Sequence, residues 1–141
     1  NILKKDMESQ IVKIEKMMGE IEIRSPLVVE EYKEKLKNRI EELLDEDYNL
    51  DEERLNNEIA FFADRSDINE EIVRVNSHIR QFIKTLEEIE PVGRKLDFII
   101  QEMNREVNTI GSKAHDLVIG NYVIDIKSEL EKIREQAQNV E

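Results

Sequence analysis

Residues 93–113 read GRKLDFIIQEMNREVNTIGSK, and the fold is decided by how their apolar and polar residues alternate. At 3.6 residues per turn, Leu96, Ile99, Met103, Val107 and Ile110 form one apolar stripe. A second stripe holds Glu102, Glu106, Thr109 and Lys113, with Gln101, Arg105 and Asn108 beside it. This is a helix with one face for a core. Its polar side sets two carboxylates one turn apart among amide, hydroxyl and cationic groups, a set suited to a divalent cation or a phosphate.

Working outward, the same period recurs on both sides. Ile68, Ile72, Val75, Ile79, Phe82, Leu86 and Ile89 alternate steps of four and three, a seam of coiled-coil quality. Asp67 and Glu70 before it have the spacing of a capping box, which explains both without a ligand. Pro91 and Gly93 separate this helix from the central one, and Gly111-Ser112 marks a break or a weak point in a continuing helix. From Ile119 the rhythm resumes through Val123, Ile126, Leu130, Ile133, Ala137 and Val140.

Toward the N-terminus, residues 2–23 carry Leu3, Met7, Ile11, Ile14, Met18 and Ile21 on one side. Ser25-Pro26 reads as a cap and first position of a new helix, with Val29, Tyr32, Leu36, Ile40 and Leu43 as its stripe. The acidic connector DEDYNLD (45–51) lacks the spacing and the glycine of a calcium loop and reads as a solvated turn. A helix from about Asp51 to Ala63 follows, with Leu55, Ile59 and Phe62 inward. The expected architecture is all-α, with a long helical hairpin arm over residues 1–47, broken near Pro26, and an antiparallel helical bundle over 48–141.

Composition narrows the function. Four Gly, two Pro and 38% charged residues suit long helices. Without cysteine there is no disulfide or thiolate metal site, in keeping with a reducing cytoplasm. No apolar run is long enough to span a membrane, and no signal-peptide pattern is present. A net charge of −12 opposes general nucleic-acid affinity, so an RNA partner requires a local basic cluster or surface elsewhere in a longer protein. Phosphate loops, Walker motifs, nucleophile elbows and zinc signatures are absent from the sequence. The chemistry left open is carboxylate-bound magnesium or manganese with water as nucleophile, Arg or Lys on the phosphate, and His78 to move a proton. Amides Gln101, Asn104, Asn108, Gln136, Gln138 and Asn139 occupy two helices expected to pack together, as a core network or as a site. His115, with only Asp116 beside it, is set aside.

The motifs DINEEIVRVNSH (67–78), GRKLDFIIQEMNREVNTIGSKA (93–114) and KSELEKIREQAQNVE (127–141) resemble the C-terminal region of the bacterial YicC/YloC family. The likeness is dense from Asp51 to Glu141, and the terminal NVE is similar to the family's C-terminus. It implies a cytoplasmic endoribonuclease that needs Mn²⁺ or Mg²⁺, assembles as a homo-hexamer around RNA and carries a larger N-terminal domain, with no small-molecule cofactor. On that basis the expected metal ligands are Glu102, Glu106 and Glu135. His78, Arg105, Glu106 and Arg134 are the expected catalytic groups, and Arg74, Gln101, Asn108, Lys113 and Gln138 the RNA contacts. A competing expectation is a helical oligomerisation scaffold serving a separate catalytic domain, in keeping with the uninterrupted heptads and the acidic charge.

Overall fold

A computed structural model describes residues 2–44, 49–89 and 93–139. Among them are five helices and no strand: α1 (Ile2–Leu43), α2 (Glu52–Arg65), α3 (Asn69–Leu86), α4 (Gly93–Lys113) and α5 (Leu117–Gln138). The expected all-α class holds. Asp45–Tyr48 of the acidic connector, together with Pro91, Val140 and Glu141, lie outside the described residues.

Four helices close one core. Lys113 pairs with Glu71 and Glu106 with Arg74, so α3 and α4 run antiparallel. Asp97 pairs with Arg134 while Asn108 and Lys127 line one groove, so α4 and α5 do the same. Arg24 reaches Asp116, and Lys13 shares a cleft with Glu129, which makes α5 antiparallel to α1. Contacts between α1 and α3 complete an up–down–up–down bundle. All five apolar positions expected in α4 are buried, as are those from Ile119 to Ala137 in α5 and from Ile68 to Leu86 in α3. Ile89 is the exception. The helix stops at Leu86, and Ile89 stands fully exposed in the turn that follows.

The N-terminal expectation needs correction. There is no hairpin broken near Pro26; α1 is one helix of 42 residues with Pro26 inside it. Its first half is no stalk, because Met7, Ile11, Ile14, Met18 and Ile21 are buried as one wall of the core. Pro26 cannot donate to the carbonyl of Glu22, which ordinarily ends or kinks a helix. Here the groups around it hold the axis. Ile21 and Val28 are buried on either side, and an Arg24–Glu31 ion pair spans the proline's position. The hairpin partner of the C-terminal half of α1 is α2, joined by a Tyr32–Phe62 stack with ring centroids 3.8 Å apart. No described helix is long and apolar enough to cross a membrane.

Two local features set the register around the centre. The capping box read in the sequence does not form: the N-cap of α3 is Ile68, Asp67 accepts from the backbone N–H of Asn69 at 2.9 Å, and the Glu70 carboxylate lies 3.6 Å from Arg74. Gly111 does not break α4. A Cβ there would come 3.1 Å from Val123 Cγ1, so the missing side chain lets α4 and α5 approach closely.

Candidate functional site

The polar residues of α4 leave its apolar stripe on two flanks, and each flank meets a different helix. Toward α3, Glu106 receives Arg74 Nε at 3.0 Å and Lys113 Nζ lies 2.8 Å from Glu71 Oε1. Hydrogen bonding to Glu106 raises the affinity of Arg74 for its proton. Glu71 is 3% exposed, and its second oxygen, Oε2, has no partner among the described residues. A buried carboxylate with one bare oxygen is unusual in a native interior. The antiparallel register puts His78 level with Glu102. His78 Nδ1 lies 3.2 Å from Gln81 Oε1, within hydrogen-bonding distance.

Toward α5 the flank is cationic. Gln101, Asn104, Arg105 and Asn108 face Lys127, Glu131 and Arg134 across an open groove of about 400 Å³. Asp97 organises its lower end, accepting from Gln101 Nε2 at 2.8 Å and from Arg134 Nε at 3.2 Å. Among the described residues Arg105 pairs only with Glu102, at 3.8 Å, and Lys127 forms no ion pair. Two cations in this groove are therefore available to an outside anion. Gln138 lies beyond the groove's end, in a small hollow with Arg94 and Asp97.

The expected site residues thus separate into two sets. Gln101, Arg105, Asn108 and Arg134 converge on the α4–α5 groove. Arg74, His78, Glu102, Glu106 and Lys113 lie along the α3–α4 seam, where Arg74 and Lys113 are already paired to carboxylates. Glu135 belongs to neither set: it is exposed on α5 and forms no ion pair among the described residues. The amides do not gather in one buried cluster either. Gln136 turns to the opposite flank of α5, where its Oε1 is buried without a partner among the described residues, and Gln138 and Asn139 are exposed.

The expected ligand trio of Glu102, Glu106 and Glu135 is consequently not assembled within one chain. Glu106 is committed to Arg74, and Glu135 faces away. Among the described residues no group of three or more His, Asp or Glu has metal-holding geometry. Among the described residues, one copy of this chain does not bring the three expected ligands together.

Sequence reading missed several participants. Lys127 was visible on the polar flank of α5, but its pairing with the amides of α4 needed the helix crossing. Asp97 is four residues before Gln101, a detectable helix-face spacing. Asp116 is not an idle neighbour of His115. It caps α5 by accepting from Ile119 N–H at 3.0 Å and takes both Nε and Nη2 of Arg24, at 3.0 and 2.8 Å. No signal along the chain links positions 24 and 116.

Comparison with known proteins places the chain in a family. Residues 21–141 match the family described as Endoribonuclease YicC-like, C-terminal. The chain is similar to the probable endoribonuclease YicC of Clostridioides difficile (strain 630), 59% identical over 122 residues, covering 86% of this chain and 42% of that protein. It is also similar to the probable endoribonuclease YicC of Haemophilus influenzae, 35% identical over 141 residues, covering 100% of this chain and 47% of that protein. The chain spans less than half the length of either relative. With a match from the middle of α1 through α5, the chain belongs to the YicC-like endoribonuclease family, as its C-terminal region.

Proposed function

We propose that this chain is the C-terminal part of a cytoplasmic, divalent-metal-dependent endoribonuclease that cleaves single-stranded or loop RNA, with the α4–α5 groove receiving the RNA backbone. One observation carries the reading. On a chain of net charge −12, Arg105, Lys127 and Arg134 gather with Gln101, Asn104 and Asn108 around one open groove. Phosphate contacts supply most nucleic-acid affinity, and Arg and amide side chains make them well. The Mn²⁺ or Mg²⁺ requirement belongs to the whole protein: its ligands would be completed by carboxylates outside a single copy of this chain, from another subunit of a homo-hexamer or from the rest of the polypeptide.

The test uses the full-length protein on an unstructured RNA with Mn²⁺. Arg105→Ala with Arg134→Ala should lower the cleavage rate at least tenfold while helicity by circular dichroism is kept. An unchanged rate removes the groove from the reaction.

A second reading, a helical scaffold for assembly, is favoured by Leu117 and Ile124, which stand 79% and 66% exposed two turns apart on one face of α5. Leu117→Ser with Ile124→Ser should then dissociate the full-length oligomer in sedimentation.

A further inference from the structure

Phe98 is unlike the other phenylalanines of the chain. Phe82 is fully buried, Phe62 is stacked on Tyr32, and Phe61 lies under Arg65, with the guanidinium carbon 5.4 Å from its ring centre. Phe98 is 63% exposed, and among the described residues no ring or cation contact covers it.

Its neighbours along the helix are specific. Arg94, Phe98, Gln101, Arg105 and Asn108 follow steps of four, three, four and three, so they lie along one outer stripe of α4, and all five are exposed. The stripe contains no acid, in a chain where 33 of 141 residues are Asp or Glu. Arg94 forms no ion pair among the described residues, and Gln101, Arg105 and Asn108 also border the α4–α5 groove. A bare aromatic ring between two cations, continuous with a polar groove, combines the two elements that hold single strands: a surface on which a base stacks and charges that track its backbone.

We infer that Phe98 is a base-stacking platform for an unpaired nucleotide of the RNA, with Arg94 and Arg105 holding the phosphates on either side of it. This rests on the reading of the partner as RNA and adds the residue that discriminates single strands from duplexes. In a duplex the base faces are occupied by their stacked neighbours, so the ring has nothing to receive.

The experiment measures binding by the full-length protein of a mixed-sequence RNA strand, alone and annealed to its complement, with EDTA present to keep the strand whole. Phe98→Leu should weaken single-strand binding roughly 5- to 150-fold, the loss of one base–aromatic stack at about 1–3 kcal/mol. Duplex binding should be nearly unchanged. Phe98→Trp should restore single-strand binding, and its emission, with the wild-type signal subtracted, should be quenched by the single strand and not by the duplex. If wild type binds the strand, Phe98→Leu binds it equally and the Phe98→Trp indole is not quenched, the platform is refuted while the RNA reading stands. If wild type binds no RNA, both fail. If Phe98→Leu alters the assembly mass and leaves RNA affinity intact, the ring is a protein contact and the inference is overturned.

Discussion

At the scale of single residues, Arg24 and Asp116 join parts of the chain 92 positions apart. The Arg24 guanidinium and the Ile119 backbone N–H hold the Asp116 carboxyl below its ordinary range, and its side chain is only 10% exposed. A depressed carboxyl favours the folded state above its unfolded titration near pH 4, and that contribution disappears as pH falls through the folded value. Asp116→Asn keeps a competent helix cap and removes the charge. It should lose about 1–2 kcal/mol at neutral pH, with the difference from wild type shrinking on acidification through the carboxylate range, as read from chemical denaturation at stepped pH. A constant difference at every pH would mean that packing, and not the ion pair, accounts for the loss.

At the scale of elements, α1 continues through a proline because its residues on both sides are tied into the fold. Tertiary packing routinely overrides local propensity. Buried Ile21 and Val28 and the Arg24–Glu31 bridge restrain both sides of the missing hydrogen bond. Pro26 itself is exposed, so Pro26→Ala restores a donor for the Glu22 carbonyl without disturbing the core. It should stabilise the protein by about 1–3 kcal/mol, raising the denaturant midpoint with the slope unchanged. A lower midpoint would show that α1 needs the proline's geometry to aim Arg24 at Asp116. The same override explains why Gly111 reads as a break in sequence and not in structure: its cost to the helix is offset by close contact with Val123.

At the scale of the whole molecule, the proposed function sets a net charge of −12, which repels RNA at long range, against the local cations Arg105, Lys127 and Arg134 of the α4–α5 groove. Binding should therefore be steeply sensitive to salt. Each phosphate neutralised on a single strand contributes about −0.7 to the slope of log affinity against log salt. Lys127→Ala in the full-length protein should reduce the magnitude of that slope by about 0.7 across a potassium chloride titration. No change in slope would place the backbone elsewhere.

What the chain determined alone was the helical class and the core-facing side of each helix. Period-3.6 stripes such as Leu96 to Ile110 and Ile119 to Ala137 encode burial locally, and the helices bury those residues. Gln101, Arg105, Asn108 and Arg134 were also legible as a polar set, because each occupies a flank of such a stripe. Only the tertiary structure decided which flank faces which helix. It sent Glu102 and Glu106 toward α3 and the amides toward α5, left Glu135 in solvent, and brought Arg24 to Asp116. The physical reason is that an amphipathic period specifies the direction of the core from each helix, whereas polar partners depend on how separate helices cross and in what register, which no single helix encodes.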